Sequence, residues 1–139
     1  MIMMELHKIV IDEKRHDQLI VLKEKDGERL LPIVIGLAEA SAIKLKLSGF
    51  NPPRPLTHDL LYTMITSLDA VLEKIMIDQL LDSTFHAKLV LRLGNGQVKI
   101  VDARPSDSIA LAVRAHVPVY VEEAIVSRIE DIERKKASS

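Results

Sequence analysis

The fold turns on a strand-to-helix corner in the second half of the chain, Val101-Asp-Ala-Arg-Pro-Ser-Asp-Ser-Ile-Ala-Leu-Ala-Val-Arg-Ala-His116. The stretch starts as the polar end of a strand and turns at Arg104-Pro105. The stretch then continues as a predicted helix, because the positions i, i+3, i+4 and i+7 of one helix face are occupied by Ile109, Ala112, Val113 and His116. Pro suits a first helical turn because its missing N–H would have no partner there, and Asp107 complements the positive end of the helix dipole. Such a corner either begins an ordinary helix or binds an anion through free backbone N–H groups, and the first role is the more general one.

Length and composition indicate one folded domain. The chain has 139 residues, of which 47% are hydrophobic and 28% charged, as in ordinary globular proteins. We predict a single domain over residues 1–127, followed by a charged tail, residues 128–139, that frays.

Charge and residue usage limit the possible partners and the location. With 19 basic and 20 acidic residues the net charge is −1, and two Tyr, two Phe and no Trp leave little for base stacking, so any contact with nucleic acid must be local. No apolar run approaches the roughly 20 residues that span a bilayer, and the N-terminus lacks the pattern of a secretion signal. Without cysteine, a metal site must use carboxylate or imidazole groups. The sequence predicts a cytoplasmic protein without a membrane anchor.

The rest of the chain alternates strands and helices. We predict strands at residues 5–12, 18–25, 29–35, 71–81, 84–93, 97–102 and 117–121, helices at 37–48, 58–68 and after Pro105, a charged turn at 13–17, and a turn or short helix at 122–127. Asp26-Gly27 and Gly94-Asn95-Gly96 suit hairpin turns, and Pro32 indicates an edge strand or a bulge. Thr57 is predicted to cap the helix at 58–68, whose apolar face is formed by Leu60, Leu61, Met64, Ile65 and Leu68.

Two stretches of the sequence repeat each other. His7-Lys-Ile-Val-Ile-Asp12 matches Glu73-Lys-Ile-Met-Ile-Asp78, and Leu19-Ile-Val-Leu-Lys23 matches Lys88-Leu-Val-Leu-Arg92, each of the latter pair followed by a hairpin turn. We interpret this as an internal duplication of a β-β-β-α unit, although any two amphipathic hairpins share some likeness. In either case the predicted fold class is α+β, with antiparallel β-hairpins packed against helices.

Residues that could take part in catalysis lie at two predicted helix starts, which have the same order of residue types. Arg54-Pro-Leu-Thr-His-Asp59 and Arg104-Pro-Ser-Asp107 both run from Arg-Pro through a hydroxyl residue to Asp. A His beside carboxylates and Arg could supply a general base, a metal ligand and a phosphate contact, while Thr57 and Asp59 serve equally well as helix caps. The other histidines, His7, His16, His86 and His116, have no zinc-binding spacing, and nucleophile and phosphate-loop motifs are missing.

Several of these segments together resemble the bifunctional nuclease family. They are Leu31-Pro-Ile-Val-Ile-Gly36 with Glu39, Pro53-Arg-Pro-Leu-Thr-His-Asp-Leu60, Asp82 with Thr84-Phe85 and Ala87, Asp102-Ala-Arg-Pro-Ser-Asp-Ser-Ile-Ala-Leu111 and Val117-Pro-Val-Tyr-Val121. The similarity runs in order from about residue 5 to about residue 125. It implies a small α+β domain that self-associates as a homo-oligomer, and an activity on DNA and RNA of the kind described for plant members.

The resemblance also implies a set of site residues: Glu39, Arg54, His58, Asp59, Asp102, Arg104 and Asp107. Our hypothesis is that Asp59 and Asp107, with Glu39, hold a divalent cation such as Mg²⁺ or Mn²⁺. Arg54 and Arg104 would then hold the scissile phosphate while His58 assists proton transfer.

Two functions remain open from the sequence. The first is a nuclease that hydrolyses phosphodiesters of DNA or RNA. The second is a non-enzymatic ligand-binding or assembly module in which the same charged groups cap helices and pair across subunits. A nuclease needs its Arg and Asp groups exposed together in a concave cleft, whereas a structural network buries and pairs them.

Overall fold

A computed structural model describes residues 1–14 and 17–138. The strands are β1 (Ile2–Val10), β2 (Asp17–Glu24), β3 (Leu30–Gly36), β4 (Val71–Leu81), β5 (Thr84–Arg92), β6 (Val98–Ala103) and β7 (Val119–Val121). The helices are α1 (Leu37–Leu47), α2 (Thr57–Ser67), α3 (Pro105–Ala115) and α4 (Glu123–Ser138). The predicted α+β class is therefore confirmed. Part of the charged turn predicted at 13–17, including His16, lies outside the described residues.

All seven strands form one sheet in the order β3-β2-β1-β7-β4-β5-β6. β1 to β3 and β4 to β6 are two antiparallel meanders, each followed in the chain by a helix, as the two predicted β-β-β-α units require. The short β7 joins them, antiparallel to β1 and parallel to β4. This one parallel pairing is not anticipated by the sequence, because it depends on where the chain returns after α3.

The two meanders also share an irregularity. The register between β1 and β2 shifts between Leu6 and Lys8, and that between β4 and β5 shifts between Leu72 and Lys74. These positions coincide when the two repeated stretches are aligned, so the two halves carry the same β-bulge. Pro32 lies in β3, an edge strand of the sheet, as the sequence predicts.

The helices cover the sheet and position the corner at Arg104-Pro105. α1 packs on β2 and β3, α3 packs on β4 and β5, and the two helices contact each other. Ile43 of α1 and Ile109 of α3, at equivalent places in the repeat, are both fully buried in the core. α2 lies against α3, which brings the two Arg-Pro corners to the same side of the molecule.

Two local predictions are wrong. Leu56 rather than Thr57 caps α2, and the Asp59 carboxylate accepts the Leu56 N–H at 2.9 Å. The apolar face predicted for α2 is largely exposed, with only His58 of this helix buried.

The C-terminal segment is helical, and the fraying of its end stays a prediction. α4 runs through the predicted boundary at residue 127 to Ser138, and Ser139 lies outside the described residues. Ile125 and Val126 are buried and Ile129 packs on the core, while Arg29 bonds both carboxylate oxygens of Glu123 at 2.7 and 2.9 Å. These contacts hold the first turns, and an Arg134–Glu130 pair supports the exposed end. Among the described residues no helix combines the length and apolarity needed to cross a membrane. The cytoplasmic location stays a prediction.

Candidate active site

A cleft of about 930 Å³ opens between α1, α2, the β5–β6 edge of the sheet and the start of α3. Its apolar walls include Ala38, Ala42, Leu45, Leu61, Ile65 and Leu91. Its charged and ionisable groups are Glu39, His58, Asp102, Arg104 and Asp107. A concave, mostly apolar space with a few converging polar groups is the usual form of a small-molecule or active site.

Four of these groups form a continuous hydrogen-bonded chain. His58 Nε2 lies 2.8 Å from Asp107 Oδ1, and the other oxygen of Asp107 accepts from Arg104 Nε at 2.8 Å. Arg104 Nη2 donates to Glu39 Oε1 at 3.0 Å. The residues come from the first turns of α2, α3 and α1, together with the cap of α3, so three helix starts meet at one point.

The charges of Asp107 and Arg104 stabilise each other. Burial opposes the ionisation of Asp107, but hydrogen bonds from Arg104 and His58 outweigh it, and the pKa of this carboxyl lies below its usual range. The hydrogen bond to Asp107 correspondingly raises the pKa of Arg104. Asp107 is thus an anion at neutral pH and accepts from His58 Nε2–H. Neutral His58 then has its lone pair on Nδ1.

Exposure differs along the chain of four groups. The His58 side chain is 10% exposed and that of Glu39 15%, whereas the Arg104 side chain is 66% exposed. Among the described residues Arg104 Nη1 has no hydrogen-bond partner, so this nitrogen of the exposed guanidinium is available to a ligand. Two anions position Arg104 without enclosing it.

Gly36 leaves the space that Glu39 occupies. It is the last residue of β3 and the cap of α1, and a methyl group there would collide with the Glu39 carboxylate. Its φ of −78° suits any residue, so backbone freedom does not explain this glycine. The absence of a side chain lets Glu39 turn back toward Arg104.

Asp59 faces away from the chain of four groups. Its carboxylate accepts from Leu56 N–H and from Arg114 Nε, the latter at 2.7 Å, and both bonds lower its pKa, the backbone bond most. The Arg114 side chain is 3% exposed and also donates to the Ala110 carbonyl at 2.8 Å. Asp59 and Arg114 therefore join the start of α2 to the end of α3.

The two carboxylates of the predicted metal site are each paired with other side chains. Asp59 is engaged by Arg114, and Asp107 by Arg104 and His58. Over residues 1–14 and 17–138, no three His, Asp or Glu side chains are grouped to hold a metal. The residues as arranged do not fit a cation shared by Asp59 and Asp107, and metal dependence stays a prediction.

Comparison with known proteins identifies the family. Residues 20–133 match the bifunctional nuclease domain. The chain belongs to the bifunctional nuclease domain family. An uncharacterized protein of Mycobacterium tuberculosis is 43% identical over 120 residues, covering 86% of this chain and 71% of that protein. Bifunctional nuclease 1 and bifunctional nuclease 2 of Oryza sativa subsp. japonica are each 29% identical, covering 76% and 83% of this chain but 33% and 36% of their own lengths.

The family resemblance pointed to seven site residues, and the fold brings four of them together: Glu39, His58, Arg104 and Asp107. Asp102 lies on the cleft rim, 77% exposed, with an oxygen 3.3 Å from Lys88 Nζ. Asp59 points to Arg114 instead. Arg54 is exposed on the loop of residues 48–56, which joins α1 to α2, and forms no ion pair with any described residue. The catalytic roles of all seven stay predictions.

The charged residues of this bifunctional nuclease domain form two groups, one in the cleft and one outside it. Arg104 and Asp107 meet in a concave cleft, as an active site requires, whereas Arg114 and Asp59 are paired away from it, as a structural link requires. The sequence did not single out Arg114 as the partner of Asp59, nor α1 and α2 as cleft walls. The many apolar residues of α2 were the sequence feature that could have predicted its role as a wall of the cleft.

Proposed function

We propose that this protein hydrolyses phosphodiester bonds of DNA or RNA, in agreement with the name bifunctional nuclease that its plant relatives carry. The observation that carries the proposal is the hydrogen-bonded chain from His58 through Asp107 and Arg104 to Glu39 in the cleft. A base oriented by a carboxylate and set beside a partly free guanidinium is an arrangement suited to proton transfer next to a bound phosphate.

The proposed reaction assigns a task to each group. Arg104 Nη1 contacts a non-bridging phosphate oxygen, and His58 Nδ1 takes a proton from a water molecule as its oxygen bonds to phosphorus. The P–O bond to the leaving alkoxide breaks, and the alkoxide takes a proton from solvent or from protonated His58. Asp107 holds the imidazole tautomer and stabilises the imidazolium. Glu39 orients Arg104. The products are a phosphomonoester and an alcohol.

The test is cleavage of single-stranded DNA and RNA by purified protein with Mg²⁺, with Mn²⁺ and with EDTA. A His58→Ala Asp107→Ala double variant, prepared identically and shown by circular dichroism to be folded, is the control. We expect cleavage that disappears in the double variant. Cleavage that persists in the variant, or none by the wild type, would contradict the proposal. The EDTA arm tests the metal prediction independently.

A second function is favoured by one specific observation. Three carboxylates and one guanidinium line the cleft, so its charge is net negative before any anion binds. A non-enzymatic ligand-binding or assembly module does not need a positively charged cleft. Absence of nucleic acid cleavage would support this second function.

We also propose that the chain forms a homo-oligomer through the exposed face of α2. Leu60, Met64 and Leu68 are 52%, 52% and 75% exposed, and Val71, which follows shortly after Leu68 in the chain, is 59% exposed. Exposed apolar groups on this scale are typical of interaction surfaces. Light scattering should give a multiple of the monomer mass, and Leu68→Asp should reduce it. A wild-type monomer at micromolar concentration would refute the proposal.

A further inference from the structure

The charges of the cleft limit how many phosphates it can bind. Its lining carries three carboxylates, Glu39, Asp102 and Asp107, and one guanidinium, Arg104, which already interacts with two of them. A protein that tracks a nucleic acid strand places a cation at each of several successive phosphates. Here one phosphate finds a partner, and further phosphates within the cleft would meet carboxylates. The overall net charge of −1 supplies no compensating field.

The walls of the cleft favour a compact apolar group. Ala42 and Leu45 of α1 face the same space as Leu61 and Ile65 of α2. Burial of a base or an aliphatic group between these walls removes apolar surface from water, which is the main source of affinity in small-molecule sites. Among the described residues no Phe, Tyr or Trp lines the cleft, and the single imidazole of His58 is no platform on which successive bases could stack.

The size of the cleft agrees with a small ligand. Its volume of about 930 Å³ lies within the range of roughly 300–1,000 Å³ that is common for sites that enclose one small molecule. The depth is created by two helices and the edge of the sheet, which flank the space. These elements flank a ligand on several sides.

We infer that the cleft binds a phosphodiester of mono- or dinucleotide size, engaged through one phosphate, and does not recognise a strand along its length. The apolar group of the substrate lies between α1 and α2, and its phosphate contacts Arg104. This inference rests on the proposed phosphodiesterase activity and specifies its substrate class. Longer single strands are cleaved only through the one unit that enters the cleft.

The salt dependence of cleavage distinguishes a small substrate from a tracked strand. For single strands the logarithm of affinity falls with the logarithm of salt concentration with a slope of about −0.7 per neutralised phosphate. One or two phosphates give a slope of about −0.7 to −1.4, and five or more give about −3.5 or steeper.

The experiment compares thymidylyl-thymidine with a single-stranded oligothymidylate of about 20 nucleotides, at equal phosphodiester concentration, from about 50 to about 500 mM NaCl. We expect kcat/KM per phosphodiester to agree within about threefold between the two substrates, with a slope no steeper than about −1.4 for both.

Leu61→Ala, which removes a wall residue, should raise KM for both substrates about fivefold with kcat nearly unchanged. The matched control is Leu47→Ala, at an exposed leucine of α1 outside this cleft, and it should behave as wild type.

The outcomes separate the inference from the proposed function. Efficient cleavage of the oligonucleotide alone, with a slope steeper than about −3, would overturn the inference and leave the phosphodiesterase proposal standing. An unchanged KM in a folded Leu61→Ala variant would also overturn it. If the folded wild type cleaves neither substrate, the proposed function fails, and the inference fails with it.

Discussion

His58→Gln is expected to lower kcat for phosphodiester hydrolysis by roughly 10²- to 10⁴-fold, the range over which a positioned general base contributes. Glutamine keeps a side-chain N–H that can donate to Asp107, and it has no basic nitrogen to replace Nδ1. Asp107 also retains its hydrogen bond from Arg104 at 2.8 Å, so its charge stays compensated and the fold should remain intact. The loss should therefore fall on the chemical step.

His86→Gln is the matched control for this prediction. His86 lies on β5, is partly buried, and does not line the cleft. Its variant should retain wild-type kcat and KM. Both variants are compared with wild type by circular dichroism and thermal unfolding. A folded His58→Gln protein that keeps more than about a tenth of the wild-type kcat would remove His58 from the role of general base.

Arg114→Ala is expected to lower the free energy of unfolding by about 3 kcal/mol, because breaking a buried ion pair leaves the partner charge uncompensated. The Arg114 side chain is 3% exposed and bonds both Asp59 and the Ala110 carbonyl. Truncation leaves the Asp59 carboxylate with one remaining hydrogen bond, from Leu56 N–H. It also opens a cavity where α2 meets α3.

Arg134→Ala is the control for stability. Arg134 forms a comparable pair with Glu130 at 2.9 Å on α4, yet its side chain is 71% exposed, so its removal should cost about 0.5 kcal/mol or less. Urea unfolding measures both variants. Equal losses for the two variants would refute the structural role of Arg114. Separately, loss of hydrolysis in a folded Asp59→Ala variant would return Asp59 to the catalytic or metal-binding role predicted from the sequence.

The contrast between His58 and Asp59 follows from helix geometry. Successive residues of an α-helix point about 100° apart, since one turn takes 3.6 residues. His58 and Asp59 therefore cannot address the same point, and the sequence, which treats them as one motif, cannot say which of them faces the cleft. The packing of α2 against α3 decides that His58 meets Asp107 and that Asp59 meets Arg114.

Local patterns in the sequence were sufficient for much of the fold. Hairpin turns, strand alternation and the Pro105 helix start depend on neighbouring residues, and the repeated stretch at Leu6 and Leu72 reproduces even the β-bulge. The length of α4 was underestimated because its packing depends on contacts that are distant in sequence. Ile125 and Val126 are buried against the rest of the protein, and Glu123 bonds to Arg29, which lies 94 residues earlier in the chain.

The α+β class, the two β-β-β-α units and the helix starts that carry the site residues follow from the sequence alone, because each depends on short-range periodicity and turn chemistry. Helix packing in the folded chain brings Glu39, His58, Arg104 and Asp107 together and keeps Asp59 and Arg54 apart from them. It also left the apolar face of α2 exposed instead of burying it. His58 and Asp107 are 49 positions apart in the chain, and Glu39 and Arg104 are 65 positions apart. Contacts at these separations depend on how the helices pack on the sheet, which no local sequence pattern encodes.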